Sequence, residues 1–570
     1  MGNVQLPFPS EAEPPETNTG EEAEKHYFSI HDLTHGQDVV AEPSKRTFRA
    51  QSEERYNKFI SKYEICNKFI PRLRIFMLPV GYTWLIERYR LKARPLVHRS
   101  FIGPKMLRRE HSDGTVEEHY IRQYQPGDSP LEHLVFALKY DGVDLDIFHK
   151  VFQHVTPSEI AEFVAQTPSG RFARQIGFWY EELTSQKVPL TVRVMGNYEP
   201  LLDSEAYVTA QNPARSPRWR ILDNSIGSRR FLPLIRRTPV IRKAEETDWR
   251  MMISDALGTP SQDSLYRALS YLYFKETKSS FAIEREEAGS ARTEKFVAAL
   301  HRAGLEENPL TESVLTFLQN TIVDERYRES GFRISQNYVG QTTINLQEII
   351  HSLGVPPASL PSLMEGLAEF FHASEAFPPV LRAAAISFAF VFVHPFEDGN
   401  GRIHRYLIHD ILARSQIGGN GLLLPVSAEI LQHMHLYDLC LEKFSTPLVA
   451  AADYSLDEAG VLSVKNPGEI EGFYRYPDLT PQCEFLAQML ERTIQVAIPE
   501  ELRFLQKLDT ARRAITEIVD MPDRKRDQLL KRLHNNRGKL ARSRREAEFP
   551  ELTDTEISDI EQAYREIFAD

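Results

Sequence analysis

Apolar positions are scarce over residues 1–26, which hold six Glu, one Lys and four Pro. Such a segment has too little to bury and predicts a disordered tail, continued as tail and linker to residue 50. From Arg55 to Leu96 the chain turns apolar and aromatic, densest at Tyr82-Thr83-Trp84-Leu85-Ile86. Leu131 to Leu183 adds helix-like spacing in Leu134, Phe136, Ala137 and Tyr140, broken by Pro-Ser-Gly at 168–170. Asn197 to Val240, rich in Pro, Arg and Ser, reads as irregular chain with short strands. An α+β N-terminal domain over 51–245 is therefore expected, and nothing in it has catalytic spacing. From Thr247 the period becomes helical, as in Leu265, Leu269, Leu272 and Tyr273, and helical patterns dominate to the C-terminus. Val380 to Val393 is almost wholly apolar and predicts a buried helix. Arg402 to Leu412 carries Ile403, Leu407 and Ile411 on one stripe and predicts another. The expected fold is mainly α.

Composition changes this picture little. The chain has 570 residues, 42% hydrophobic and 26% charged, a length that implies three or four domains. We place them at 51–245, 246–455 and 456–570, after the 1–50 tail. With 68 Lys+Arg against 80 Asp+Glu the net charge is −12, which argues against the whole molecule as an electrostatic binder of nucleic acid. One segment runs the other way: Asp523 to Arg545 holds ten Lys/Arg and two Asp. We read it as the solvated face of a helical C-terminal domain, with a nucleic-acid contact as the alternative. Cys66, Cys440 and Cys483 form no CxxC pair, which rules out a disulfide framework and a thiolate zinc site and indicates a reducing, cytoplasmic setting. Met1 to Leu6 lacks the features of a signal peptide, and Leu6 stands where myristoylation needs Ser or Thr. The longest apolar run, Ala383 to Val393, is too short to span a bilayer, so no membrane association is expected.

The chemistry is concentrated in His394-Pro395-Phe396-Glu397-Asp398-Gly399-Asn400-Gly401-Arg402-Ile403-His404-Arg405. Pro395 disfavours the helical conformation at His394 and so places that imidazole at a helix end. Gly399-Asn400-Gly401 lets backbone amides converge, and a glycine-rich loop opening a helix is an anion site. Arg402 and Arg405, three apart, share the first turn and can serve one polyphosphate. Asp398 beside such a site calls for a divalent cation, and Mg²⁺ is the natural one. His394, titrating near neutrality, remains as general base. The set reads as a phosphoryl- or nucleotidyl-transfer site.

This segment matches the Fic motif HPFx[D/E]GNGRxxR at every specified position, and the chain resembles that family over about residues 260–450. The resemblance implies a helical Fic core and transfer of AMP from ATP, as substrate, to a hydroxyl of an unidentified target protein, with self-modification as a further outcome. His394 would deprotonate the hydroxyl, Asp398 would hold Mg²⁺, and Asn400 with the amides of Gly399 and Gly401 would bind the α-phosphate. Arg402 and Arg405 would bind the outer phosphates. The phosphate-transferring Doc toxins replace the second glycine with Lys, so Gly401 favours nucleotide transfer. Gly331-Phe332-Arg333 to Val339-Gly340-Gln341-Thr342 resembles the Fic flap, a short β-hairpin that aligns the target chain. Tyr437 resembles the aromatic of the adenosine pocket, whereas Ser445 replaces the usual Asn. Ser280-Phe281-Ala282-Ile283-Glu284-Arg285 resembles the inhibitory motif [S/T]xxxE[G/N], whose Glu pairs with the second motif arginine, here Arg405. It departs from that motif at Arg285.

His404 with His409, and His433 with His435, lack a credible metal spacing, and His372 reads as a surface or capping residue. The function expected is Mg²⁺- and ATP-dependent protein adenylyltransfer restrained by Glu284. The alternatives are transfer of another phosphate-containing group, removal of AMP, or a regulatory or toxin–antitoxin component binding DNA or a protein.

Overall fold

The computed structural model describes residues 77–258, 262–287, 289–343, 348–417, 422–457 and 460–569. The expected tail and linker, the apolar stretch up to residue 76, and Cys66 lie outside them. The chain divides into two compact units. The larger joins the described part of Asn67–Gly258 with Lys275–Ala497, so the positions 245 and 455 both fall inside it.

Its N-terminal part begins with β1 (Leu78–Val80), α1 (Tyr82–Tyr89), β2 (His98–Ile102), β3 (Leu107–Glu110) and β4 (Val116–Tyr120). The strands form one sheet in the order β1-β2-β4-β3, parallel at β2/β4 and antiparallel at its outer pairs. Helices α2 (Pro130–Tyr140), α3 (Leu145–Phe152), α4 (Pro157–Gln166) and α5 (Arg171–Thr184) follow. Ser129, Asp144 and Thr156 start the first three by accepting a first-turn amide on their side chains. The apolar faces close a core around Leu134, Phe148, Ile160 and Trp179. A small sheet of β5 (Glu199–Pro200), β6 (Ala214–Ser216) and β7 (Ile221–Asp223) completes the α+β character expected of this region.

Helices α6 (Pro239–Glu246) and α7 (Trp249–Leu257) lead to α8 (Gln262–Ile283), which belongs to this unit from Lys275 onward. There follow α9 (Ser290–His301), α10 (Glu312–Ile322), the hairpin β8 (Tyr338–Thr342) and β9 (Glu348–Leu353), α11 (Leu360–Ala373), α12 (Pro379–Val393), α13 (Asn400–Arg414), α14 (Val426–Gln432) and α15 (Met434–Ala451). The antiparallel pair β10 (Tyr454–Leu456) and β11 (Leu462–Val464), then α16 (Pro467–Arg475) and α17 (Thr480–Arg492), complete the unit. Helix α12 is its centre: of Val380 to Val393 only Val391 is not buried. The buried Arg382 within it donates to the Phe371 carbonyl at 2.7 Å and lies over the Phe371 ring. The mainly α fold expected from the sequence is the fold found. No helix among the described residues is long and apolar enough to cross a membrane.

The smaller unit contains α18 (Ile498–Ile518), α19 (Asp523–Asn535), α20 (Arg542–Glu548) and α21 (Asp554–Phe568) around Leu529, Leu533, Phe549 and Ile560.

Candidate active site

Helix α12 ends where the proline signal placed its end. His394 is its C-cap, with φ 56° and ψ 63° in the left-handed region, and its N–H donates to the Phe390 carbonyl at 3.0 Å. Ring Nδ1 stands 3.0 Å from the Val391 carbonyl. A carbonyl only accepts, so Nδ1 carries the proton and Nε2 keeps its lone pair. Burial holds the His394 pKa below the ordinary imidazole value, against the opposing pull of the Val391 carbonyl. At neutral pH this is a neutral base with one fixed tautomer.

The loop to α13 is fixed from several sides. The Asn400 side chain is buried; its Nδ2 donates to the Phe396 carbonyl at 2.7 Å and its Oδ1 accepts the Phe396 N–H at 3.0 Å. That amide therefore closes the loop instead of projecting toward a ligand. Gly399 takes φ 92°, and α13 starts directly after it, so the first-turn amides lack intrahelical partners. Glu329, which sequence reasoning missed, accepts the Glu397 N–H at 3.0 Å and the Gln319 amide at 3.0 Å. Burial raises its pKa, against those loop amides. Asp398 Oδ1 accepts from Gly399 N–H and from Arg402 Nη2, both at 2.6 Å.

The two motif arginines are almost fully buried, at 1% exposure each, and are held by the end of α8 and the turn that follows it. Arg405 donates from Nε to the Ser280 hydroxyl, and from Nη2 to the Ser280 carbonyl and to Glu284 Oε1, each at 2.8 Å. Burial works against its charge, yet Glu284 holds the guanidinium pKa above its ordinary value. Arg402 donates from Nη1 to Glu286 Oε2 at 2.9 Å, and Arg292 holds the same oxygen at 2.9 Å. Glu286 carries no signal in the sequence, because its partner stands 116 residues away. The Glu284 carboxylate also fills the space over Gly401, where an added Cβ would meet its Oε1 at 2.1 Å. Glu276 anchors the C-terminal half of α8: His409 on α13 pairs with it at 2.7 Å, and Ser427 of α14 donates its N–H at 2.8 Å.

Arg285 explains why its position in the resembled motif favours Gly or Asn. It sits at φ 58°, the left-handed turn that ends α8, and it faces Asp438 of α15 instead of Glu284. An L side chain there costs about 1 kcal/mol. Arg285→Gly is expected to raise the unfolding temperature slightly and to lower residual nucleotide transfer, since the turn carrying Glu284 is relaxed. An increase in transfer would show that Arg285 helps to keep Glu284 in place.

Tyr437 is buried beside His404, with ring centroids 6.2 Å apart, and burial pushes its hydroxyl pKa up against the pull of Arg405. Ser445 is buried on the same helix. His404 is neutral, its pKa pushed down to about 3 by burial. Of the flap, only Tyr338–Thr342 is strand; residues 331–337 are irregular and laced to the loop, with the Ser335 hydroxyl bonded to Glu397. Val339, Gly340, Gln341 and Thr342 are exposed on β8, with a bulge between Val339 and Gly340. The structure thus gathers His394, Asp398, Gly399, Asn400, Gly401, Arg402, Arg405, Ser280 and Glu284 at one loop, while no hydrogen bond among the described residues joins β8 to it.

Residues 309–412 match the Fic/DOC family. The chain carries a Fic domain. Over 173 residues it is 29% identical to the protein adenylyltransferase fic-1 of Caenorhabditis briggsae, covering 29% of this chain and 31% of that protein. Over 169 residues it is 31% identical to the protein adenylyltransferase Fic of Aedes aegypti, covering 29% of this chain and 24% of that one. The chain thus spans under a third of the length of either relative. Among solved structures, a Fic family protein from Desulfovibrio desulfuricans G20 aligns with a TM-score of 0.33 and 19% identity, over 49% of this chain and 80% of that one. A Fic domain containing signaling protein from Bacteroides thetaiotaomicron VPI-5482 aligns with 0.32 and 19%, over 45% and 97%. The Fic domain found by sequence contains the whole loop from His394 to Arg405, whereas Ser280, Glu284 and Glu286 precede the matched segment.

Proposed function

We propose that this chain is a protein adenylyltransferase that moves AMP from ATP to a hydroxyl of a target protein, restrained by Glu284. The observation that carries the reading is the carboxylate over Gly401. A built anion site, with first-turn amides and two buried guanidinium groups, is occupied by the chain's own anion. In the reaction His394 Nε2 takes the hydroxyl proton as the oxygen bonds to the α-phosphorus, and the bond to the β-phosphate oxygen breaks to release pyrophosphate. Arg402 and Arg405, once freed, serve the outer phosphates as charge-matched forks. The exposed strand β8 offers main-chain pairing to an extended target segment. Unpaired, buried Cys440 and Cys483 fit a reducing, cytoplasmic setting.

Mg²⁺ fits as a cation brought with the nucleotide. Among the described residues no group of three or more His, Cys, Asp and Glu could hold a metal. Asp398, 42% exposed at its side chain, can give one carboxylate to an ion otherwise ligated by phosphate and water. The ion would supply charge neutralisation on the phosphates. Asp398→Ala and chelation are therefore expected to give similar, non-additive losses of ATP turnover. Fully additive losses would assign Asp398 another task.

In the basic segment 523–545, Lys525, Arg526, Arg532, Arg542, Arg544 and Arg545 each pair with a carboxylate, which supports a solvated, ion-paired surface over a nucleic-acid contact. Incubation of the full chain with labelled ATP, GTP, CTP and UTP, followed by mass spectrometry of modified peptides, tests the reading. Labelling by none of them, including in Glu284→Gly, overturns it.

A further inference from the structure

The C-terminal end of α12 faces a cation with no ion-pair partner among the described residues. Arg333 is 5% exposed and makes no ion pair among the described residues. Its guanidinium is spent on carbonyls: Nε donates to His394 at 2.7 Å, Nη1 to Ser335 at 2.6 Å and Nη2 to Val355 at 2.6 Å, with Val393 at 3.4 Å. Its own N–H donates to the Pro395 carbonyl at 2.9 Å. Burying an unpaired cation is costly unless its donors are satisfied, and here several carbonyls around the helix end satisfy them. The last carbonyls of a helix are the negative end of its dipole, the place where a guanidinium is favoured.

Two further features serve the same arrangement. Asn337 Nδ2 donates to the Phe396 carbonyl at 2.9 Å, and at 3.4 Å to that of His394. Gly354 leaves room for both side chains: a Cβ there would lie 2.0 Å from Asn337 Oδ1 and 2.7 Å from Arg333 Nη2. The residue so gripped is His394, in a left-handed conformation that L side chains rarely adopt. A strained backbone persists only where its surroundings over-determine it.

We infer that Arg333 is a positioning residue: by clamping the His394 carbonyl it holds the left-handed cap of α12 and so fixes where the Nε2 lone pair points. The inference rests on His394 being the base of the proposed reaction. The charged groups facing the imidazole are Arg333, Glu284 and Glu397.

The test uses the full chain with Glu284→Gly as background, so that turnover is measurable, and compares Arg333→Met, Arg333→Lys and Gly354→Ala. Arg333→Met is expected to lower kcat roughly 10–100-fold while the Kd for ATP changes under about threefold, because a base displaced by about 1 Å loses its line to the hydroxyl. Arg333→Lys should recover only part of kcat, since an ammonium cannot span three carbonyls as a planar fork does. Gly354→Ala should mimic it. Hydrogen–deuterium exchange at the imidazole C2, read by mass spectrometry against pH, reports His394 without any turnover. Its midpoint should rise in Arg333→Met, where the neighbouring cation is gone. A folded Arg333→Met with kcat within twofold and an unchanged exchange midpoint overturns the inference. If Arg333→Met does not fold, full kcat in Arg333→Lys does so. If no variant transfers nucleotide, the proposed function fails, and the exchange midpoint still decides whether Arg333 governs His394.

Discussion

Replacing His394 with alanine is expected to lower nucleotide transfer about 10²–10⁴-fold while ATP affinity stays within a few-fold. In the proposed reaction the phosphate contacts would come from the α13 amides, Arg402 and Arg405, none of which involves the imidazole. Among the described residues, the Nδ1 bond to Val391 is the only side-chain hydrogen bond lost with the ring. Because that cap is left-handed, His394→Asn is the better-matched companion variant, since Asn tolerates the region where Ala is strained. Both should unfold near the wild-type temperature and both should be inactive. The pH profile offers a second check. The base works neutral, and burial lowers its pKa, so wild-type activity should persist as pH falls through the ordinary imidazole value of about 6.5 and decline only below it. An acid limb above that value, or normal labelling by either variant, removes His394 from the mechanism.

Glu284→Gly is expected to raise transfer roughly 10–100-fold, seen first as self-labelling. Under the proposed restraint, a carboxylate on Arg405 at 2.8 Å would compete with the nucleotide for that guanidinium and for the space over Gly401. Opening a pair whose cation is buried costs up to about 3 kcal/mol, discounted because the Glu284 side chain is 35% exposed and partly screened by water. The same change leaves Arg405 buried and unpaired, so the free variant should melt lower than the wild type. Mg²⁺–ATP should restore more of its stability than it adds to the wild type, because only the variant presents an open site. Glu286 adds a second layer: Glu286→Gln should add activity on top of Glu284→Gly, since Arg402 is otherwise still held at 2.9 Å. Equal labelling by wild type and Glu284→Gly would discard the brake and leave His394 in place.

The sequence makes local features legible and hides contacts between distant segments. Pro395 marks the end of α12, and the observed helix stops at Val393, just short of it. The 3.6-residue stripe from Ile403 to Ile411 marks α13, although the helix runs from Asn400 to Arg414, beyond the apolar positions at both ends. The division into units was harder to read. Boundaries near 245 and 455 follow composition, but the sheet-bearing N-terminal part and the helices around α12 share one unit, and composition carries no trace of which surfaces meet. Glu329, Glu286 and Arg333 act on groups between 61 and 116 residues away, so no periodicity flags them. In the sequence Arg333 stands out only as part of the flap segment. An arginine amid carbonyls looks, in one dimension, like any surface arginine. Asn400 shows the same limit from another side: its motif position carries no sign that its side-chain amide is engaged with Phe396.

Gly401 stands in the first turn of α13, where alanine would suit the helix better by about 1 kcal/mol. Its value lies in what it omits. A methyl group there would lie 2.1 Å from Glu284 Oε1, so no residue with a side chain can share the site with the carboxylate in this position. That oxygen is the tip of a flexible, 35% exposed side chain, so a larger residue at 401 would push the carboxylate aside and leave the loop standing. Under the proposed restraint the two positions are then one device: a carbon added at the first displaces the second.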